Sequence, residues 1–253
     1  MEFLGAMARE LLEQKPDLVV TAGSEAIDAL RRATTSVPIV FLAMGDPLGL
    51  GVVKSLARPE GNVTGVSFLS ADLSAKRVQL LRDLVPGTKR LAVVWDADNR
   101  NAEIEAEAAV VAARRLSMAL VRVPLRSNAG IEANLRQLAA SKAVALYVAF
   151  GQGAVAENRI AIAEFALRER MPLISGWHFM TEGGGLLSYA PNIPSMFRRG
   201  AYYVDRIVRG IKPSELPVEQ ARSIELVVNA RTAKAIGISI PQSLLLRADR
   251  VIG

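Results

Sequence analysis

Nine short runs of β-branched and aliphatic residues punctuate the chain, at residues 17–22 (DLVVTA), 37–43 (VPIVFLA), 62–67 (NVTGVS), 90–95 (RLAVVW), 119–123 (ALVRV), 143–149 (AVALYVA), 172–175 (PLIS), 186–189 (LLSY) and 223–228 (SIELVV). None of them alternates apolar with polar. A strand with one wet face shows a two-residue alternation, whereas a strand covered by helices on both faces reads as a continuous apolar run. Between the runs stand segments of helical period. Residues 24–33 (SEAIDALRRA) open with Ser24 as a cap and Glu25 in the first turn. Residues 101–116 begin among Glu103, Glu105 and Glu107 and end at Arg114 and Arg115, which complements the helix dipole. Residues 131–140, 155–170 and 195–209 repeat the theme. Strand and helix in strict succession predict the α/β class, with parallel, doubly wound sheets.

Two breaks interrupt this rhythm, at Pro86-Gly87 and at the glycine run of 181–185 (TEGGG). They predict two lobes, the first of residues 1–87 plus 186–212 and the second of 88–185 plus 213–253. With 51% apolar and 22% charged residues, a packed core is expected and disorder is not. The absence of cysteine excludes disulfides, thiol catalysis and cysteine-ligated metals. The net charge of +6 raises nucleic acid as a partner. The basic residues, however, are spread along helix faces and in pairs such as Arg31-Arg32 and Arg198-Arg199, without the clustering a nucleic-acid surface needs. No apolar run reaches the ~18 residues that span a membrane. Acids at Glu2, Glu10 and Glu13 are unlike a secretion signal, so an exported form carries its signal upstream.

In open parallel sheets, ligands bind at the carboxyl ends of strands. Five loops qualify: 21–25 (TAGSE), 43–49 (AMGDPLG), 96–101 (DADNRN), 150–153 (FGQG) and 176–179 (GWHF). Gly23 and Ser24 stand at a helix start, where free N–H groups suit an anion and where an ordinary cap would look the same. Asp46 precedes Pro47 and suits either a ligand ammonium or a plain turn. Asp96, Asp98, Asn99 and Asn101 crowd the third loop, but the spacing and closing Glu of a calcium loop are missing, so metal is not expected. Phe150 and Gln152 mark the fourth loop. In the fifth, Trp177 beside His178, the only histidine, offers stacking and orientation to a small molecule. No G-x-S-x-G, H-E-x-x-H, P-loop or dinucleotide fingerprint occurs, so neither an enzyme nor a cofactor is expected.

Several stretches carry a resemblance: PDLVVTAGSEA, VPIVFLAMGDPLGLGVVKSLARPEGNVTGVSFLS, KRVQLLRDLVPGTKRLAVVWDADN, EGGGLLSYAPNIPSMFRRGAYYVDRIVRGIKPSELPVEQ and ELVVNARTAKAIGISIPQSLLLRADRVI. Together they resemble the ABC transporter substrate-binding protein family, some members of which bind aromatic amino acids such as tryptophan. The resemblance implies a type I periplasmic-binding fold, with two Rossmann-like lobes joined by three hinge crossings. It implies a small molecule captured between the lobes and delivered to a permease and its ATPase, and a periplasmic location. By motif, Gly23 and Ser24 match a lobe-one ligand loop, Asp46 the acid before proline, and Asn99 the asparagine after the fourth strand. Gln152 lies in the next lobe-two loop. Trp177 and His178 occupy the loop where amino-acid-binding relatives show an acid, which points away from a ligand ammonium and towards an aromatic or carboxylated compound.

The run 17–22 matches the family's second strand, and the central first strand has no counterpart. That predicts a gap with unpaired edges in an incomplete first lobe, filled in one version by a second copy of the chain as a homodimer. The competing function is a cytoplasmic small-molecule sensor of the same fold, which also suits a native start without a signal.

Overall fold

A computed structural model describes residues 2–68, 70–126, 130–151 and 153–253. Gln152 lies outside the described residues. The chain divides into two compact units, one of residues 1–69 and 191–223, the other of 70–190 and 224–253.

In the first unit, α1 (Glu2–Glu13) leads into β1 (Val19–Ala22), α2 (Ser24–Ala33), β2 (Ile39–Met44) and β3 (Val63–Ser67); the chain returns with α9 (Ile193–Val208) and β9 (Glu219–Gln220). The sheet is parallel, in the order β1-β2-β3-β9. Ile39 and Phe41 of β2 pack with Ala8, Ile27 and Leu30 of α1 and α2. Leu42 on the opposite face meets Gly200 of α9. The expected gap is absent: β1 pairs directly with β2, Val19 opposite Ile39 through Ala22 opposite Leu42. The run 17–22 therefore neighbours the next strand instead of standing one place away, and the unpaired side is the outer edge of β1. This removes the gap-filling reason for a second copy.

The second unit holds α3 (Ser70–Leu84), β4 (Arg90–Asp96), α4 (Arg100–Arg115), β5 (Ala119–Leu125), α5 (Ile131–Ala140), β6 (Ala145–Val148), α6 (Gly153–Glu157), α7 (Arg159–Arg168), β7 (Leu173–Ser175), α8 (His178–Glu182) and β8 (Leu187–Pro191), and closes with β10 (Ile224–Asn229), α10 (Ala230–Ile236), α11 (Gln242–Leu245) and β11 (Arg250–Ile252). Its seven strands run β11-β10-β8-β7-β6-β4-β5. Odd residues of β4, Leu91, Val93 and Trp95, enter a core built with α3 and α4. Even residues, Ala92 and Val94, enter a second core with α5, α6 and α7. One strand thus feeds two cores, which is why its sequence shows no alternation.

Helix α3 belongs to this unit because Ser74 and Arg77 bond Glu105 of α4. The chain passes between the units at 69/70, 190/191 and 223/224, whereas the sequence breaks lie at 87, 186 and 212. Pro86-Gly87 only ends α3. The glycine run 183–185 closes a tight turn, the Gly185 N–H bonding the Met180 carbonyl at 2.8 Å. The helical stretch 155–170 is two helices, interrupted at Asn158, whose side chain donates to the Ala154 carbonyl.

Candidate functional site

Gly23 ends β1 with φ 87 and is the N-cap of α2. Ser24 is therefore the first helical residue and not the cap, and its hydroxyl donates to the Glu25 carboxylate at 3.2 Å. One strand over, β2 carries an irregularity. Phe41 faces Gly65 but Met44 faces Ser67, so one residue is extra. Ala43 absorbs it in the left-handed region, at φ 54. Such a bulge bends a strand and re-aims the residues beyond it, here Gly45 and Asp46. The Gly45 carbonyl is held by the Ser67 hydroxyl at 3.0 Å. Asp46 Oδ1 accepts the Gly49 N–H at 2.9 Å and turns the loop. Gly49 leaves room for this carboxylate, since a Cβ would lie 2.2 Å from Asp46 Oδ2. Gly23, Ser24 and Asp46 thus share the carboxyl ends of two neighbouring strands.

In the second unit the chain order reverses between β4 and β6, a topological switch point where loops diverge and leave a crevice. Asp96 ends β4. It is only 3% exposed, and its oxygens accept from the Asp98 N–H (3.0 Å) and from the Ala154 N–H at the start of α6 (3.1 Å). Burial raises its pKa, and these two N–H bonds oppose the rise. Asp96 points inward and ties the β4 loop to the β6 loop. Asn99 caps α4, its Oδ1 accepting the Ala102 N–H at 2.9 Å.

Phe150 follows β6 and Gly176-Trp177 follows β7. The Trp177 ring meets Phe150 edge-on at 4.3 Å between centroids and Phe179 at 3.8 Å. The Trp177 N–H bonds the Ser175 hydroxyl, itself bonded to the Val148 carbonyl, so the loop is anchored to both strands. The indole Nε1 is buried without a partner among the described residues. His178 turns away from this cluster. Its Nδ1 lies 2.9 Å from Ser188 Oγ and its Nε2 3.5 Å from a Glu225 carboxylate oxygen, bracing β8 and β10. Burial lowers its pKa.

Three residues behind the crevice escaped the sequence reading. Arg77, Glu105 and Tyr147 are wholly buried and bonded together. Charged residues on helices read as solvated by default. The available signal was register: Glu105 shares a face with Ala102, Ala106 and Ala109, and Arg77 shares one with Ser74, Leu81 and Leu84, all buried. Elsewhere, the groove between α1 and α2 lined by Leu4, Arg9, Glu25, Asp28 and Arg32 holds no aromatic side chain, and Asp28 already pairs with Arg31 and Arg32. Among the described residues, no group of acids and histidine could hold a metal ion, and no helix is long and apolar enough to cross a membrane.

Comparison with known proteins gives concordant matches. The sequence profile of the family described as ABC transporter substrate binding protein matches residues 1–252. A tyrosine-binding protein of Clostridioides difficile is 24% identical over 232 residues, which are 91% of this chain and 66% of that protein, so the chain spans about two thirds of that relative's length. The crystal structure of a conserved domain protein from Vibrio cholerae superposes with a TM-score of 0.92 at 29% identity, over 99% of this chain and 83% of the other. The structure of an ABC domain in complex with L-Trp, from Streptococcus pneumonia, gives 0.90 at 26% identity, over 98% and 85%.

Proposed function

Because the chain belongs to the ABC transporter substrate-binding protein family, we propose that it captures a small aromatic solute bearing a carboxylate at its carboxyl-end loops and passes it to a permease driven by an ATPase. The observation that carries this reading is the aromatic group Phe150–Trp177–Phe179 at the ends of β6 and β7, with an indole N–H that has no partner among the described residues. Edge-on rings receive a flat ligand through their faces and edges, and a desolvated N–H gains most from a charged acceptor. The residues argue against turnover. The hydroxyl beside His178, the one histidine, is that of Ser188, and it is wholly buried, out of a substrate's reach. Support for aromatic chemistry comes also from the relatives, one named as tyrosine-binding and one in complex with L-Trp.

A thermal-shift screen tests this with tryptophan, tyrosine, aromatic acids without an amino group, purines and sugars. A ligand at about a hundred times its Kd stabilises the folded chain by about 2.7 kcal/mol. Aromatic carboxylates should raise Tm, with Trp177→Ala weakening the response. Stabilisation by sugars alone, or by nothing in the panel, overturns the reading.

A further inference from the structure

We propose that the buried Arg77–Glu105–Tyr147 network is the positioning device of the aromatic crevice, setting the loops that carry Phe150 and Trp177 from behind. The inference rests on the proposed function for its ligand, but its geometry stands by itself. Arg77 Nη1 donates to Glu105 Oε1 at 2.9 Å and lies 3.1 Å from Tyr147 Oη. Tyr147 Oη lies 2.9 Å from the same carboxylate oxygen and 3.0 Å from Ser74 Oγ. All four side chains are fully buried.

The network touches both crevice loops. The Phe150 backbone N–H bonds the Glu105 carboxylate and favours its charged form against the burial that raises its pKa. On the other loop, Gly176 lies close against the guanidinium. A Cβ there would sit 2.9 Å from Arg77 Cζ and Nη2. A glycine immediately before Trp177 is thus what lets the strand end approach the arginine. The same guanidinium also holds two chain ends of its unit, Nε donating to the Tyr189 carbonyl at 2.7 Å and Nη1 to the Ser70 carbonyl at 3.1 Å. Ser70 is the first residue of the unit, and Ala190, after Tyr189, closes its first stretch.

Stability alone is a poor reason for this arrangement. A buried ion pair gains little over apolar packing of the same volume, and Arg77 Nη2 remains without a partner among the described residues. What an arginine fork does supply is direction, because its donors leave in fixed planes. Four bonded groups from α3, α4, β6 and β8, plus the contact at Gly176, fix the loop ends relative to one another.

The test uses the full chain with Trp95→Phe, which leaves Trp177 as the single indole of two. Arg77→Lys keeps the charge and loses the fork; Glu105→Gln loses the charge and keeps the shape. Acrylamide quenching of Trp177 is measured without ligand, together with affinity for any aromatic compound that the screen finds and with Tm. The expected result is a higher quenching constant and about tenfold weaker binding, the scale of one lost charged hydrogen bond, in variants of parental far-UV circular dichroism. Folded variants with lower Tm but unchanged quenching and affinity make the network merely structural and overturn the proposal. Where the Arg77 variants do not fold, Gly176→Ala presses on the guanidinium from the loop side, and unchanged quenching there overturns it equally. An empty ligand screen counts against the proposed function alone, since quenching in the ligand-free protein still decides this inference.

Discussion

Gly65 and Ala43 sit on adjacent strands and have opposite problems. Gly65 in β3 has φ 153, and a Cβ there would lie 1.9 Å from the Phe41 carbonyl oxygen. That neighbour is backbone and cannot swing aside, so Gly65→Ala should cost about 3 kcal/mol or more. Ala43 at φ 54 already bears the strain that glycine would avoid. Ala43→Gly should be neutral or stabilising by up to about 1 kcal/mol, despite glycine's greater unfolded-state freedom. Urea melts of the two variants check both signs. His178 adds a pH dependence. Burial lowers its pKa from 6.5, Glu225 and Glu182 favour its charge, and Arg250 and Arg77 oppose it. The unfolded chain then binds the proton more tightly than the folded one, so stability is full above pH 6.5 and falls below it. His178→Gln, which still reaches Ser188, should flatten the difference between melts at about pH 7.5 and about pH 5.5. At this scale the sequence is legible for local backbone roles where a residue type has few uses: Gly23 stands at a strand end with positive φ and Asp46 turns the loop before Gly49. Ala43 was not legible, because nothing in an alanine announces a left-handed backbone. Asp96 was found in place but faces inward, and loop position alone does not set which way a carboxylate turns.

Elements were legible where both faces are covered. Each of the nine apolar runs holds a strand; burial on two sides accounts for inner strands such as β2, β3, β4 and β6, whereas the edge strands β1 and β5 are apolar in sequence yet partly exposed. β9 is only Glu219–Gln220 and β11 only Arg250–Ile252, too short and too polar for that signal. Unit boundaries failed for a different reason: Pro86-Gly87 is a strong local break, while membership of α3 is decided by Arg77 and Ser74 meeting α4 at long range. Helix α9 allows a test of competing local and packing terms. At Gly200, alanine would gain about 1 kcal/mol of helix propensity. Its Cβ would stand 2.7 Å and 3.0 Å from the Leu42 methyls, and overpacking costs about 1–3 kcal/mol. Gly200→Ala should therefore lose about 1 kcal/mol net. Leu42→Val in the same chain should recover part of that loss, so a double-mutant cycle in urea should show coupling. Strict additivity would mean that α9 shifts on β2 without resistance.

At the scale of the whole molecule, the outer edge of β1 pairs with no strand among the described residues. Natural edge strands are blunted by charge, proline, bulges or cover. β1 reads VVTA, with none of these, and Val20 is 46% exposed. In the same unit, α1 turns Phe3, Met7 and Leu11, spaced four residues apart, to solvent at 74%, 50% and 39% exposure. The sequence pointed to a weakness here but placed it inside the sheet, because it assigned β1 the wrong neighbour; pairing order is set by tertiary packing, and apolar runs carry no label for their partners. An open β edge and an apolar helix stripe both favour association. The chain should therefore self-associate as its concentration rises, and Val20→Lys and Met7→Lys should each shift sedimentation velocity profiles towards monomer. Both side chains are exposed, so each change should leave stability within about 0.5 kcal/mol, which separates lost association from lost folding. A parent chain that stays monomeric at every concentration would show that the β1 edge is shielded by its own twist and shortness, and that four residues are too few to recruit a partner strand.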